Sequence, residues 1–308
     1  MTPKEAQLKG FVVLSRLPFL LPGLAALTSG IGIAAIEGHD MNTGFVGLSV
    51  LGLALIMLGT YYFNEYYDYA GDVINRKFTQ FSGGSRALPD AMVPRKLAKI
   101  AGYGTVASLV VIAIVYMVFY FEDYPLLLPL GLFGAFCGIF YSSPPLQWAY
   151  QGIGEILIGG CYGILPFVSG FYVASGELDY RMALVGVPAA LTIFAVIAGN
   201  EFPDHDADKA VNKRNIIVRL GLQKGSKVYL AAMALTYPFM LLTTLVGVTP
   251  FIALTGIPVL VLCAAAIKFT VKGGYADRQA QIKISGLTLI ANLSSCFMFP
   301  LAFYLQGL

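Results

Sequence analysis

The sequence predicts an all-α integral membrane bundle of about nine transmembrane helices, forming one domain over residues 1–308. Three observations predict it. Of the 308 residues, 57% are hydrophobic and 12% charged, with mean hydropathy +0.73, whereas soluble domains carry roughly 25% charge. Apolar runs long enough to cross a bilayer recur along the whole chain. Two related polar segments interrupt them at corresponding places, which implies a pseudo-repeat of four-helix units around a central cavity.

In chain order the runs lie near 11–36, 44–66, 100–120, 124–141, 154–175, 181–199, 227–247, 250–272 and 284–305. A spanning helix takes about 20 residues, and a barrel strand only about 9–11. Helices also satisfy their own backbone polar groups, which lipid cannot do. Pro18, Pro22, Pro166 and Pro188 fall inside runs, where they kink helices without forbidding them. The first run lacks a short apolar core with a small-residue cleavage site, so it is expected to persist as a helix.

Charge placement checks the span count. With nine helices, 18 of the 20 Lys and Arg residues fall on one side of the membrane. They occupy the amino-terminal tail (Lys4, Lys9), the 2–3 and 6–7 loops and the 8–9 connection. Arg181 lies opposite and Arg16 lies within the first run. The positive-inside rule then directs the basic loops to the cytoplasm, with the cell inner membrane as the expected location. Cys137, Cys161, Cys263 and Cys296 have no metal-type spacing and read as small packing residues. Nothing in the composition points to nucleic acid.

The polar segments begin Asn64-Glu-Tyr-Tyr-Asp68-Tyr-Ala-Gly-Asp72 and Asn200-Glu-Phe-Pro-Asp204-His-Asp-Ala-Asp208. Both read N-E-aromatic-x-D-x-x-x-D, and four runs separate them, so both face the same side. Spacing i, i+4, i+8 places Asn64, Asp68 and Asp72 on nearly one helix face, and Asn200, Asp204 and Asp208 likewise, unless Pro203 breaks the helix. Seven of the 17 acidic residues lie in these two stretches. Such a cluster beside lipid is costly without a cation. Mg²⁺ favours carboxylate oxygens and shares its coordination with substrate phosphates. The candidate ligands are therefore Asp68, Asp72, Asp204 and Asp208, supported by Asn64 and Asn200. Arg16, Arg76, Lys77, Arg86, Lys209, Lys213 and Arg214 are candidates for neutralising a bound diphosphate. Glu65 and Asp206 fall outside the i+4 register, and His205 is a poor Mg²⁺ ligand. A single D-x-x-x-D also reads as a helix cap or a partner for loop cations; two matched copies on one face favour a shared site.

These motifs resemble the UbiA superfamily of membrane prenyltransferases. The first matches its N-x-x-x-D-x-x-x-D and the second its D-x-x-x-D, over essentially the whole chain. The resemblance implies nine helices, Mg²⁺, and transfer from a prenyl diphosphate to a small aromatic acceptor within membrane lipid. Three stretches resemble the 1,4-dihydroxy-2-naphthoate polyprenyltransferase branch of menaquinone synthesis: Phe81-Ser-Gly-Gly-Ser-Arg86, Tyr141-Ser142-Ser-Pro-Pro with Gly152-Ile-Gly-Glu155, and Lys213-Arg-Asn-Ile-Ile-Val-Arg219. Pro145-Leu-Gln-Trp-Ala lacks the lysine that the family often carries after that tyrosine. Tyr61, Tyr67, Tyr141, Ser142 and Glu155 are the expected substrate-pocket residues, with Tyr61, Tyr62, Tyr66 and Tyr67 available to shield a developing cation. Other acceptors stay open: 4-hydroxybenzoate, a glycerol phosphate lipid ether, a chlorophyllide or a haem. An ion-coupled transporter is the reading from a different class.

Overall fold

The computed structural model describes residues 3–308, with side chains from Glu5 onward, so the Lys4 side chain lies outside the described residues. All regular elements among them are helical. In chain order they are α1 (Pro3–Leu14), α2 (Leu21–Ile36), α3 (Thr43–Tyr67), α4 (Tyr69–Ile74), α5 (Arg95–Phe119), α6 (Leu127–Ser142) and α7 (Gly154–Ile158). The chain continues through α8 (Leu165–Ser175), α9 (Tyr180–Ala210), α10 (Ile216–Leu220), α11 (Leu222–Leu242), α12 (Ile252–Thr255), α13 (Ile257–Val271) and α14 (Arg278–Gln306). Among the described residues eight helical stretches are long and apolar enough to cross a membrane, and α6 is a shorter ninth. Large apolar side chains such as Val118, Phe119 and Leu245 stand exposed on their outer faces. The chain is an integral, multi-pass membrane protein.

Three departures from the expected spans have local causes. The first run is not one helix. Ser15 closes on the Phe11 carbonyl, Arg16 adopts φ 47°, and a 3₁₀ turn over Leu17–Leu20 precedes α2. Pro18 and Pro22 sit in the first turns of the segments after the break, where a missing N–H costs least. The fifth run is divided by a π-helical turn over Gly159–Ile164 between α7 and α8. The sixth helix extends well past its apolar run, because α9 continues through Pro203 to Ala210 and carries the whole second motif.

Helix termini are set by side chains. Asn42, Asp179, Asn215 and Asp277 accept backbone N–H bonds at the starts of α3, α9, α10 and α14. Close backbone approach joins the two halves: a Cβ on Gly30 would fall 2.3 Å from the Phe167 carbonyl oxygen, and one on Gly170 would fall 2.1 Å from that of Leu27. Membrane helices commonly use small residues in this way. Polar contacts link α9 to α14, with Asn292 donating to the Ala189 carbonyl and to Thr192 at 3.1 Å. The main core, built around Phe167, Phe299, Met233, Tyr229 and Ile284, lies mostly among α9, α11, α13 and α14. By contrast, α2, α3, α5, α6 and the fifth span surround an apolar cavity of about 210 Å³, with Leu53, Met57, Ile112 and Tyr141 in its walls.

Candidate active site

The first motif begins on α3 and turns into α4 with little interruption. The Asp68 N–H bonds the Asn64 carbonyl at 2.8 Å, and Asp72 N–H bonds that of Asp68 at 3.1 Å. The second motif stays helical because α9 passes through Pro203. Each motif therefore keeps the one-face register its spacing implies.

The segment after α9 connects the two motifs. Lys213 places its Nζ 3.0 Å from Asp68 Oδ2 and 3.7 Å from Asp208 Oδ1. Those side chains are 18%, 16% and 9% exposed respectively, so the contacts are largely shielded from water. Asp68 also accepts the Tyr150 hydroxyl at 3.0 Å, and Asp208 accepts Asn215 Nδ2 at 2.8 Å. Asp204 is held from the first half of the chain, by Asn75 Nδ2 at 2.6 Å and by the Gly83 N–H at 3.0 Å. Asp72 lies against Gly84, where a Cβ would approach Oδ2 to 2.3 Å; Gly84 has φ +69°. The four motif aspartates thus belong to one assembly.

Electrostatics outside the spans follow from this arrangement. Burial opposes the Lys213 charge, but Asp208 and Asp68, followed by Tyr141 and Tyr150, outweigh it and hold its pKa well above the usual lysine range. Burial, and then the Asp68 and Glu65 charges, push the Asp72 carboxyl well above the usual carboxylate range. Tyr150 is raised as well, first by burial and then by Asp68.

The donor set suits a hard cation. The Asn64 and Asn200 Oδ1 atoms are buried without a hydrogen-bond partner beside the aspartates, and carboxylate with amide oxygen is Mg²⁺ chemistry. Among the described residues no three His, Cys, Asp or Glu side chains close on a single metal position. The carboxylates instead engage the chain's own donors.

The remaining candidates divide by position. Arg86 donates to the Asp72 carbonyl at 2.5 Å, and Arg16 lies 3.6 Å from Glu65. Glu65 is buried and accepts the Ser85 N–H and hydroxyl at 2.6 and 2.8 Å. Arg76, Lys209 and Arg214 are exposed. Lys77 pairs outward with Asp206, which also contacts His205. Tyr61 donates to the Phe19 carbonyl at 2.6 Å and receives Tyr162 at 3.5 Å. Tyr67 meets Tyr66 edge to face. Tyr62 bonds Ser15 and stacks on Phe11, while Arg95 and Lys99 lie over Tyr66, so those two rings are already engaged by the α1 region and α5. Tyr141 lines the apolar cavity and Ser142 is fully buried. Glu155 accepts the Ile216 N–H at 2.7 Å. Asn75 and Tyr150 escaped sequence reasoning, since they lie in connecting segments outside either motif, and Asn215 fell within the quoted basic tail without being singled out.

Residues 24–293 match the profile of the UbiA prenyltransferase family. The chain belongs to the UbiA prenyltransferase family. It is 27% identical over 180 residues to 1,4-dihydroxy-2-naphthoate octaprenyltransferase of Bacillus subtilis, a match covering 58% of this chain and 55% of that relative. It is 32% identical over 127 residues to the chloroplastic 2-carboxy-1,4-naphthoquinone phytyltransferase of Arabidopsis thaliana, covering 37% of this chain and 32% of that protein. These matches thus span about half or less of each relative. The fold is also that of a UbiA homologue from Archaeoglobus fulgidus bound to GPP and Mg²⁺. That comparison has TM-score 0.64 and 16% identity, and covers 94% of this chain and 99% of the other.

Proposed function

We propose that this chain transfers a prenyl group from an isoprenyl diphosphate to 1,4-dihydroxy-2-naphthoate inside the membrane, as a step in menaquinone synthesis. The observation that carries this reading is the joining of two distant aspartate motifs around Lys213, with Tyr141 linking that polar centre to an apolar cavity. The similarity to two naphthalene-directed prenyltransferases supports this acceptor over the alternatives.

Asp68, Asp72, Asp204 and Asp208, with Asn64 and Asn200, would hold Mg²⁺, which supplies charge withdrawal from the diphosphate. The chain's own groups provide the rest. Lys213 and Arg86 offset the charge that collects on the departing diphosphate as the allylic C–O bond breaks. The cavity walls accept the prenyl tail and exclude water from the electron-poor allylic carbon. Tyr141 and Tyr162 line that region and can shield a developing cation. The acceptor ring carbon then forms the new C–C bond to the allylic carbon, and the ring regains aromaticity by releasing the group that carbon carried, a proton or, at the carboxylate-bearing carbon, carbon dioxide. By the positive-inside rule, the basic loops beside the site support a mouth that faces the cytoplasm.

Asp68→Ala and Asp204→Ala test the reading. Each is expected to abolish Mg²⁺-dependent transfer from a prenyl diphosphate to dihydroxynaphthoate while the protein still inserts and purifies. Full activity in both variants rejects it. An acceptor panel including 4-hydroxybenzoate and a chlorophyllide then tests the naphthoate: equal or better turnover of another acceptor moves the assignment within the family.

A further inference from the structure

The turn between α9 and α10 carries Lys213, and it rests on the 150–155 segment at the start of the fifth span. We propose that Glu155 is a positioning residue: by accepting the Ile216 N–H it locks this turn in place and fixes Lys213 against Asp68.

Successive residues of the turn are tied down one after another. The Lys213 N–H bonds the Asp208 carbonyl at 2.8 Å, and the Arg214 N–H bonds that of Tyr150 at 3.3 Å. Asn215 donates to Asp208 Oδ2 at 2.8 Å while its own Oδ1 accepts the Val218 N–H at 2.8 Å. The Ile216 N–H reaches Glu155 Oε1 at 2.7 Å. The anchors to Asp208 move with α9, from which the turn emerges. Those to Tyr150 and Glu155 tie it to a different part of the chain. Gly152, with φ +73°, permits this approach, since a Cβ there would lie 2.7 Å from Arg219 Cδ and 3.3 Å from the Arg214 carbonyl oxygen. Tyr150 completes the connection: its carbonyl holds Arg214 and its hydroxyl bonds Asp68 at 3.0 Å. The segment that seats Lys213 therefore also seats the carboxylate that Lys213 meets at 3.0 Å.

Glu155 is 1% exposed and lies outside the walls of the apolar cavity. Taking a carboxyl group out of water is costly unless hydrogen bonds replace its hydration. The Ile216 N–H supplies such a bond to Oε1, whereas Oε2 is buried without a partner, as is that of the neighbouring Glu201. The turn is thus what this acid holds. An amide oxygen of the same reach can make the same bond, and a hydrocarbon side chain cannot.

The inference rests on the proposed work of Lys213 at the diphosphate, and two independent readouts keep the two apart. Hydrogen exchange of peptides covering 211–219 is followed in nanodiscs without substrate. Values of kcat and KM are measured with a prenyl diphosphate and dihydroxynaphthoate. Glu155→Leu removes the accepting oxygen, Glu155→Gln keeps one in the same place, and Ile216→Pro removes the N–H instead. Proline suits that first position of α10, because Asn215 before it already holds φ −61° and ψ 173°. Glu155→Leu and Ile216→Pro are expected to speed exchange across the turn by about 10–100-fold. Both should lower kcat by about 10²-fold while acceptor KM stays within about twofold. Glu155→Gln is expected to bring both readouts back to within about threefold of wild type. Should Glu155→Leu fail to insert, the contrast between Ile216→Pro and Glu155→Gln decides the matter. Unchanged exchange in the bond-breaking variants overturns the inference, as does faster exchange with kcat unchanged. A rise in acceptor KM for both Glu155→Leu and Glu155→Gln, with exchange unchanged, also overturns it and assigns Glu155 to the acceptor. Faster exchange in the variants of a chain that transfers no prenyl group supports the anchoring and removes the enzymatic reading.

Discussion

Gly84→Ala is a small perturbation with a large expected effect. Two costs arise at that position. The backbone holds φ +69°, which costs an alanine about 1–2 kcal/mol. The added Cβ would also lie 2.3 Å from Asp72 Oδ2, although real Cβ atoms essentially never come within 3.0 Å. The carboxylate must therefore move by roughly 1 Å, and a displacement of that size at a reaction centre costs about 10²-fold in rate. Gly38 supplies the control, because it has φ +88° with nothing within 4 Å of its would-be Cβ. Both variants are expected to lose thermal stability in detergent micelles through the shared backbone cost, Gly84→Ala at least as much as Gly38→Ala, while only Gly84→Ala loses about 100-fold in kcat/KM for prenyl transfer. Gly84→Ala activity within threefold of wild type refutes this reasoning, as does an equal loss in both variants.

Asp208→Asn and Asp206→Asn alter neighbouring acids of one motif. The first acid is 9% exposed and contacts Lys213 and Asn215; the second is 64% exposed and contacts Lys77. Steady-state kinetics should show a loss of at least about 10²-fold for Asp208→Asn and less than about fivefold for Asp206→Asn; the reverse order contradicts the geometry. Because burial and the neighbouring acids raise the Asp72 pKa, cation binding competes with a proton there. Half-saturating Mg²⁺ should therefore rise as pH falls from 8 to 6, by up to about tenfold per pH unit for one proton, and a flat titration counts against the assignment. Without divalent cations, the same raised pKa favours the folded state at low pH, and that contribution disappears as pH rises through the folded-state value. Gly52→Phe projects into the apolar cavity, where a Cβ meets only Ile112 at 3.9 Å. It should raise the KM for long prenyl diphosphates and spare geranyl diphosphate, whereas an equal effect on both places the tail elsewhere.

Much of this molecule was legible in the sequence because the bilayer imposes strong rules. Apolar runs must become helices, and eight long apolar helical stretches with a shorter ninth agree with about nine runs. The motif spacing also translated directly, since α3–α4 and α9 keep their i+4 registers. Local breaks were less visible. The reversal at Arg16 is accompanied by a local contact with Phe19 and a tertiary ion pair with Glu65, which hydropathy does not report. The extension of α9 to Ala210 was obscured by Pro203, whose flanking turns remain helical. The partners Asn75, Tyr150 and Asn215 lie in connections whose spacing carries no periodicity. Lys213 was recognisable as a cation near the site. Its bridging of Asp68 and Asp208, and its place over the Tyr150 ring at 5.8 Å, required the fold.

The most direct test replaces Mg²⁺ with Mn²⁺ and uses pulsed electron paramagnetic resonance in the presence of an unreactive prenyl diphosphate analogue. The account predicts ³¹P coupling to protein-bound Mn²⁺ in wild type, and its loss in both Asp68→Ala and Asp204→Ala, since the two motifs serve one centre. Retention of the full coupled signal in either variant contradicts that claim.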